Sequence, residues 1–387
     1  MTGTPVDRAA EGARLAAEAR RFAFPRLAGS EGDAEVRGLL AAGLREAGLV
    51  VRESPFGCNP RRPMARFRIG FLVIAATLAL HALSVGGETT SGQYVARLLL
   101  LVAGTAGVML ALAWDEGFFI AGKGEIATAN LLGFSGDSGG RRVIVVAHHD
   151  SKSQTIGFAG RALLLAVALA GVAAFVVEAV LRVAGIGLSA GATYALTGAI
   201  GAGGVAAAAF GLNAVGNRSP GGVDNAGSLA VALEAARRVT RAPEPGGELV
   251  IVFTGAEELL MCGARHLMRE RGEAWRQGTA LVVNLEALGV PGTLGVQGPR
   301  DAAQRTLDAI AAVGARGRRI GALPAAMSDA WPIARAGLPV VTLTSGSFSR
   351  AVRAVHTRHD RAENLDTGAL ARAADALERV VRGAMRP

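Results

Sequence analysis

Several short stretches of the chain carry residue types that bind metal ions or move protons. His148-His149-Asp150 directly follows an apolar, β-branched run. A histidine at such a place can bind a metal ion through one ring nitrogen, while a carboxylate such as Asp150 orients the ring. Asp224 lies in the stretch PGGVDNAGS, before a predicted helix. Each stretch also has a structural interpretation, since a lone histidine often ends a strand and an aspartate often caps a helix.

Three further stretches carry acids or histidines at similar places. Glu257 and Glu258 follow the apolar run VIVFTG, and Glu286 follows the apolar start of ALVVNLEALG. His356 and His359 lie in VHTRHDRAENLD, before the last predicted helix. Acids at a helix start are also favoured by the helix dipole alone. Adjacent glutamates can instead divide the chemistry, one binding a metal ion and the other accepting a proton from water.

The order of these stretches resembles that of a known enzyme family. H-x-D, D-N-A, E-E after a strand, N-x-E-x-x-G and H-T-x-x-D follow one another as in the di-zinc aminopeptidase family numbered twenty-eight among metallopeptidases. RLAGSEG at residues 26–32 and SDAWPIARAGLPVVTL at residues 328–343 are similar to other parts of that family. The family includes bacterial leucyl aminopeptidases and glutamate carboxypeptidase-like enzymes.

The resemblance implies a site that holds two co-catalytic zinc ions. The metal ligands that it implies are His148 and Glu286 for one zinc, Glu258 and His356 for the other, and Asp224 as the bridge between them. Glu257 occupies the position of the general base, and Asp150 that of a residue that orients a metal ligand without binding the metal itself. The implied activity is that of a zinc exopeptidase, an aminopeptidase in the first place, in which a water shared by the two ions attacks the peptide bond.

Of three departures from the family pattern, the change to Gly227-Ser228 after D-N-A is minor, and the other two bear on the reaction. Glu286 stands where family aminopeptidases usually carry aspartate, whereas related di-zinc carboxypeptidases carry glutamate there. Val355 stands where several members carry tyrosine. A carboxypeptidase, a glutaminyl-cyclase-like enzyme with one zinc, and a non-catalytic peptidase-like membrane protein therefore remain alternatives. Three histidines have no role in this scheme and are expected at the surface or behind the ligands: His149, His266 and His359.

Alternating strands and helices must position these residues. Apolar β-branched runs predict strands at 127–134, 143–147, 249–254, 280–285 and 339–344. Amphipathic patterns predict helices at 34–48, 225–239, 258–269, 302–313 and 367–382. This alternation predicts an α/β fold, a three-layer αβα domain whose mixed, largely parallel sheet is covered by helices on both faces.

The composition indicates that parts of the chain span a membrane. The chain has 387 residues, of which 50% are hydrophobic and 19% charged, and its mean hydropathy is +0.34. The apolar excess lies in four runs, at residues 69–85, 98–114, 162–177 and 188–212. A 17-residue helix spans about 26 Å, close to the hydrocarbon thickness of a bilayer. We therefore predict two transmembrane hairpins, with buried helices of a soluble protein as the alternative.

The predicted hairpins, at 67–114 and 160–212, divide the peptidase-like domain into residues 1–66, 115–159 and 213–387. Close helix packing is expected in the last run, through the small residues Gly198, Ala202, Gly204 and Ala208. Because each hairpin returns to the side it leaves, the remaining sequence lies on one side of the membrane.

Charge near the predicted membrane ends favours one orientation. The side with the peptidase-like domain carries Arg61, Arg62, Arg66, Arg68, Lys123, Lys152, Arg161 and Arg218. The opposite loops carry only Arg97 and Arg182. Positive charge is retained on the cytoplasmic side, so the sequence predicts an integral protein of the cell membrane with a cytoplasmic peptidase domain.

Composition also limits the partners. The net charge of +9 comes almost wholly from arginine, and no basic run is interleaved with aromatic residues, which argues against nucleic acid as a partner. Cys58 and Cys262 lie far apart in the sequence, which fits a reducing compartment and gives no cysteine-based zinc cluster. The expected partners are a peptide substrate and the lipid bilayer, and the oligomeric state is unknown.

Overall fold

A mixed β-sheet runs through most of the chain. The computed structural model describes residues 5–84, 89–120, 122, 125–135, 140–321, 327–345 and 350–386, so Val85 and Lys123, named above, lie outside the described residues. The strands are β1 (Val50–Cys58), β2 (Ile126–Phe134), β3 (Arg141–His148), β4 (Ser153–Gln154), β5 (Val215–Gly216), β6 (Gly247–Thr254), β7 (Thr279–Glu286), β8 (Leu294–Gln297), β9 (Gly317–Arg319) and β10 (Val340–Ser345).

The described residues give a sheet of eight strands in the order β1-β2-β6-β3-β7-β10-β8-β9. Its centre, β6-β3-β7-β10, is parallel, while β2 pairs antiparallel with both β1 and β6, and β8 pairs antiparallel with β10. Parallel strands are covered on both faces, which explains why the central strands are continuously apolar. The predicted mixed, largely parallel sheet is confirmed.

The helices of the described residues are α1 (Pro5–Phe22), α2 (Glu31–Glu46), α3 (Arg61–Leu83), α4 (Ser91–Ala113), α5 (Phe158–Val183), α6 (Ala190–Gly211), α7 (Gly227–Arg241), α8 (Cys262–Arg276), α9 (Arg300–Ala312), α10 (Ala330–Arg335), α11 (Arg350–Arg353) and α12 (Thr367–Met385).

Seven of these helices pack on the two faces of the sheet. Val143 and Val145 of β3 pack in a core with α1, α2, α7, α9 and α12. Ile144 and Val146 pack in a second core with α8 and α10. Because successive residues of a strand point to opposite faces of the sheet, β3 contributes side chains to both cores.

Two segments are inserted in the sequence of the sheet domain, and a pair of hydrogen-bonded strands flanks each of them. The antiparallel pair β1–β2 ends at Cys58 and Ile126, and α3 and α4 lie between these two residues. The short pair β4–β5 joins Gln154 to Val215, and α5 and α6 lie between them. Residues 59–124 and 158–214 together form a compact unit of their own, called the helical unit below.

Four helices of the described residues are long and apolar enough to cross a membrane, and these are α3, α4, α5 and α6. They contain 22 to 26 residues, which corresponds to about 33–39 Å. The helices α3 and α4 begin earlier than the apolar runs predicted, at Arg61 and Ser91, because each includes a polar first turn. Leu99, Leu110 and Leu163 are more than half exposed, as expected for residues that would face lipid.

A buried polar cluster joins three of these helices. Arg97, which the sequence analysis placed in a loop, lies within α4 and is buried. Its Nη1 donates to His81 Nδ1 at 2.6 Å, so Nε2 carries the imidazole hydrogen and faces Glu178 Oε2 at 3.3 Å. The Tyr94 hydroxyl donates to the other oxygen of Glu178 at 3.4 Å. Buried polar groups in such helices need partners of this kind.

The closest approach of α5 and α6 uses different small residues from those predicted. A Cβ on Gly203 would lie 2.6 Å from the Cα of Gly171, so only glycine fits at this crossing. Gly204 packs against α3, as a small contact residue should, but Gly198 has open space around it and Ala202 is exposed. Small residues alone did not reveal which face of α6 meets the other helices.

We expect Gly203→Leu to separate α5 from α6, because the added side chain would meet backbone atoms that cannot move aside. The expected loss is about 1–3 kcal/mol of unfolding free energy, the usual cost of overpacking. Unfolding of the protein in detergent micelles, followed by circular dichroism, measures it. Gly198→Leu is the matched control, since its side chain enters open space. Equal losses in both variants would contradict this packing.

Candidate metal centre

His148 is the last residue of the central strand β3, where its ring is fixed by the chain that follows. Its Nδ1 lies 3.0 Å from the backbone carbonyl of Asp150, which can only accept, so Nδ1 carries the hydrogen. Nε2 faces Asp224 Oδ1 at 3.0 Å and Glu286 Oε2 at 3.6 Å. With Nδ1 held by this carbonyl, Nε2 is the ring nitrogen that could bind a metal ion.

Asp224 lies between two histidines. Its Oδ1 faces His148, and its Oδ2 lies 3.1 Å from His356 Nε2. The Asp360 carboxylate holds this segment in place, since it accepts the backbone N–H groups of Val223 and Asp224 at 2.7 and 3.2 Å. The two oxygens of one carboxylate therefore point at two separate positions.

The second position is lined by Glu258 and His356. Glu258 Oε2 lies 3.1 Å from His356 Nε2 and 2.9 Å from Lys152 Nζ, and Lys152 also donates to the Glu258 backbone carbonyl at 3.0 Å. Glu286 completes the first position, where Asn284 Nδ2 donates to its Oε1 at 3.1 Å. Each carboxylate is thus held by one neighbouring donor and keeps an oxygen on the site.

A tight turn, not a helix, presents Glu257 and Glu258. The predicted helix from Glu258 begins only at Cys262, because residues 257–259 form a short 3-10 turn bounded by left-handed backbone at Ala256. The two oxygens of Asp150 accept the N–H groups of Glu257 and Glu258 at 3.1 and 3.2 Å. The Asp150 carboxylate thus fixes this turn, and its Oδ1 also lies 3.7 Å from His148 Nδ1, the residue that it is expected to orient.

Arg26 joins the chain segments that carry the two halves of the site. Its side chain is fully buried, and Nε donates to the carbonyl of His149 at 2.6 Å while Nη2 donates to the carbonyl of Gly221 at 2.9 Å. Nη1 donates to the carbonyls of Phe24 and Pro220. Because His149 follows His148 and Gly221 precedes Asp224, this guanidinium sets the spacing between two of the candidate ligands.

We expect Arg26→Lys to weaken zinc binding by about 10–100-fold, the usual effect of losing a residue that orients ligands. A single ammonium group cannot reach carbonyls on three segments as the planar guanidinium does. Competition with a chromophoric chelator measures the zinc affinity. Arg305→Lys, at an exposed position of α9, is the control. An unchanged zinc affinity in Arg26→Lys would refute this positioning role.

Burial and opposite charge shift the pKa values at the site in opposite directions. Burial alone would raise the pKa of Asp224, but contact with His148 and His356 outweighs it and holds that pKa well below its usual value. The surrounding carboxylates outweigh burial at His148 and raise its pKa well above the usual value. Burial lowers the pKa of Arg26 to about 10, so it stays charged at neutral pH. The site therefore concentrates negative charge around two imidazoles.

The residues at the site fit a pair of zinc ions. Two groups have ligand atoms that all lie within 4.8 Å of one another, His148 with Asp224 and Glu286, and Asp224 with Glu258 and His356. Imidazole nitrogen and carboxylate oxygen are suitable zinc ligands, and three protein ligands leave a position open on each ion. Glu258 Oε1 is buried and accepts no hydrogen bond from the described residues, so this carboxylate keeps acceptor capacity beyond the contact of its Oε2 with Lys152.

The structure brings together all five candidate ligands and places Glu257 outside both groups. Burial and the charges of Glu286, Glu258 and Asp329 raise the pKa of Glu257 well above its usual value. Sequence reasoning missed the roles of Arg26, Lys152 and Asp360, although Arg26 and Asp360 stand in quoted motifs. Their partners are backbone groups in large part, which leave no side-chain signature in the sequence.

The other three histidines lie away from the two ligand groups. His149 is fully buried behind the site, with Nε2 at 2.9 Å from Asp33 Oδ1. His266 stacks on Phe56 with ring centroids 4.8 Å apart, and His359 is exposed. The sequence predicted that these histidines lie at the surface or behind the metal ligands, which agrees with these positions.

Comparison with known proteins agrees with the resemblance. Residues 208–381 match the model of Peptidase family M28. No curated protein matches the chain. Among solved structures, an aminopeptidase from Aneurinibacillus sp. strain AM-1 superposes with a TM-score of 0.57 at 14% identity, covering 97% of this chain and 94% of that one. A zinc aminopeptidase from Bacillus subtilis gives 0.57 at 14%, with 98% and 95% covered.

A glutaminyl cyclase from Fimbriiglobus ruber is equally similar in fold. Its TM-score is 0.57 at 11% identity, and the superposition covers 99% of this chain and 97% of that chain. Identities at this level show the fold alone. The predicted α/β fold and the resemblance to peptidase family twenty-eight are confirmed, whereas the choice of reaction rests on the residues of the site.

Proposed function

With residues 208–381 matched to Peptidase family M28, we propose that the protein is a membrane-embedded, zinc-dependent exopeptidase that acts as an aminopeptidase. One observation carries this proposal: two groups of three ligands share Asp224, and a buried glutamate outside both groups lies on the neighbouring turn. The proposed zinc ligands are His148, Asp224, Glu258, Glu286 and His356.

The chemistry follows from this arrangement of ligands and glutamate. When bound, two zinc ions would lower the pKa of a water at the site and polarise the scissile carbonyl. Glu257 takes the proton of that water on its carboxylate and passes it to the leaving amine, as a general base that later acts as an acid. The Asp150 carboxylate holds the Glu257 backbone in place for both transfers.

Glu257 suits this role by position and environment. It adjoins the ligand Glu258 in sequence, yet it belongs to neither ligand group, so its carboxylate remains available for proton transfer. Burial and neighbouring carboxylates raise its pKa, which strengthens it as a base, and nearby cations would offset part of this effect.

We also propose that the helical unit lies in the bilayer and that the sheet domain faces the cytoplasm. The four long apolar helices support the first part, and the excess of arginine at residues 61–68 supports the second. An alkaline phosphatase reporter inserted in the loop between α5 and α6 should be active, since that loop would lie outside the cell. An inactive reporter there would reverse the orientation.

A zinc count and a substrate panel on the purified protein test the proposed activity. We expect about two zinc ions per chain and hydrolysis of peptides with a free amino terminus, but not of amino-acetylated ones. Cleavage of acetylated peptides from the carboxyl end would indicate a carboxypeptidase. Loss of ammonia from peptides with amino-terminal glutamine, without hydrolysis, would indicate a glutaminyl cyclase, the alternative that the Fimbriiglobus fold match keeps open.

A parallel preparation of Glu257→Gln serves as the blank for contaminating peptidases. The proposed function fails if the protein binds zinc but turns over none of these substrates. It fails equally if the activity of the blank matches that of the wild type, since the hydrolysis would then come from another protein.

A further inference from the structure

One end of the helical unit exposes a group of arginines. The chain enters α3 with Arg61 and Arg62, and Arg66 follows about one turn later. All three side chains are exposed, and they are called the arginine cluster below. Within the described residues, the guanidinium groups of Arg61 and Arg62 form no hydrogen bond or ion pair with the protein. Their N–H donors therefore remain available to an anion from outside the chain.

Neighbouring charges do not cancel the arginine cluster. Arg68 adds a fourth guanidinium, whose Nη2 donates to the backbone carbonyl of Asn213 at 3.2 Å, a neutral partner that leaves its charge in place. Asp115 and Glu116, just after α4, offset at most half of these four positive charges. This end of the helical unit therefore keeps a net positive charge, which attracts an anionic ligand.

The opposite end of the helical unit has no comparable group among the described residues. Arg97 is buried there and donates to His81. Arg182 lies 3.9 Å from Glu178 Oε1, and its Nη2 donates to Thr193 Oγ1 at 3.2 Å. The arginines at that end are thus paired within the protein, whereas the arginine cluster is open to a partner.

A tryptophan lies beside the arginine cluster. The guanidinium carbon of Arg66 lies 4.3 Å from the centre of the Trp114 ring. Trp114 directly follows α4 and is 41% exposed. Tryptophan is typical of the boundary between the hydrocarbon and the headgroups of a bilayer. A guanidinium that lies over a ring still directs its N–H groups outward in its own plane, so Arg66 can bind an anion while it contacts Trp114.

Beyond the arginines, the same face of α3 becomes apolar. Because Ile69 lies about two turns after Arg62 and about one turn after Arg66, these three residues share a face of the helix. Ile69 is 58% exposed, and Leu72 and Leu80 further along are 37% and 56% exposed. A phospholipid has the same order of parts, a charged headgroup followed by acyl chains. A free phosphate ion would use only the arginines, so the continuous apolar face favours a lipid.

We propose that the arginine cluster binds the phosphate of an anionic phospholipid, in the leaflet that meets this end of the helical unit, with an acyl chain along Ile69 and Leu72. Guanidinium groups bind phosphate oxygens through paired N–H donors. Each arginine near an anionic membrane surface contributes about fivefold in affinity. This inference rests on the proposed position of the helical unit in the bilayer, but not on the zinc sites or on peptidase activity.

The experiment uses the full-length protein in vesicles of phosphatidylcholine and phosphatidylglycerol, one of which carries brominated acyl chains. Bromine quenches the fluorescence of a tryptophan that it contacts, so the quenching of Trp114 reports which lipid lies beside the cluster. Trp114→Phe gives the fluorescence of Trp275 and Trp331, which is subtracted. We expect phosphatidylglycerol to bind there about 10-fold or more tightly than phosphatidylcholine. Added inorganic phosphate should leave this ratio unchanged.

The double variant Arg61→Gln with Arg62→Gln keeps the contact of Arg66 with Trp114 and should lower the ratio by about fivefold or more. Arg182→Gln removes one positive charge at the opposite end and is the matched control, with an unchanged ratio. Equal binding of both lipids by the wild type, an unaltered ratio in the double variant, or a ratio that inorganic phosphate abolishes would overturn the proposal.

A further outcome separates this proposal from the proposed function. If neither brominated lipid quenches Trp114, the end of α4 lies outside the bilayer, and the proposed position of the helical unit fails together with the lipid site. If both lipids quench it equally, that position stands and only the lipid site fails. The zinc count and the peptidase assay are independent of each of these results.

Discussion

Replacing Glu257 with glutamine is expected to reduce turnover by about a hundredfold or more while leaving the zinc content unchanged. Glutamine keeps the size of the side chain but cannot accept the proton of the attacking water. Zinc should be retained because Glu257 belongs to neither ligand group. The backbone N–H that Asp150 binds is also unaffected, so the turn should keep its shape. Steady-state kinetics together with metal analysis of the same sample measures both expectations.

The matched control for this variant is Glu273→Gln, on the exposed face of the helix α8 that follows the turn. It makes the same chemical change away from the site, so its turnover should equal that of the wild type. Retained turnover in Glu257→Gln would remove that residue from its role as general base. Lost zinc would show instead that Glu257 is a metal ligand, which the two ligand groups do not predict.

Asp224→Asn is expected to lower the affinity for both zinc ions, by more than about 100-fold. Loss of a residue that only orients a ligand typically costs about 10–100-fold, and Asp224 is itself shared by both groups. The amide would present one oxygen and one N–H group, so it could face His148 or His356 but not hold two cations. We expect no detectable peptidase activity at micromolar zinc.

Metal analysis after dialysis against a weak chelator distinguishes this result from a general defect. Asp301→Asn, at an exposed position of α9, should keep both ions. Circular dichroism must show that Asp224→Asn is folded, which is expected because the Asp360 carboxylate accepts backbone groups that the substitution leaves in place. Loss of only one ion from the folded variant would show that Asp224 does not bridge the two positions.

The residues of the candidate site were easier to bring together from the sequence than the contacts that support them. His148 and Glu286 end apolar strands, and the carboxyl ends of neighbouring parallel strands meet at one edge of a sheet, so their type and order already indicated a common site. Arg26 was quoted in a motif, but its acceptors are backbone carbonyls from three segments. No pattern of side chains along the chain encodes such acceptors.

Element boundaries failed where distant groups decide the local conformation. The helix predicted from Glu258 is interrupted because Asp150, far away in sequence, binds the N–H groups of Glu257 and Glu258 and favours a turn. In the same way, the apolar composition of α6 predicted a closely packed helix but not its contact face. Gly203 meets α5 only because of how the two helices cross, and this depends on all of their side chains together.

The paired strand ends at Cys58–Ile126 and Gln154–Val215 have a consequence for how this architecture tolerates change. A graft placed between residues that are already neighbours costs little more than a longer surface loop, and each doubling of loop length adds only about 0.6 kcal/mol. The four apolar helices could thus be exchanged for short connections without shifting His148 or Asp224. The sheet domain would in this way keep its candidate site with or without the inserted helices, because both insertions begin and end at strands that already pair with each other.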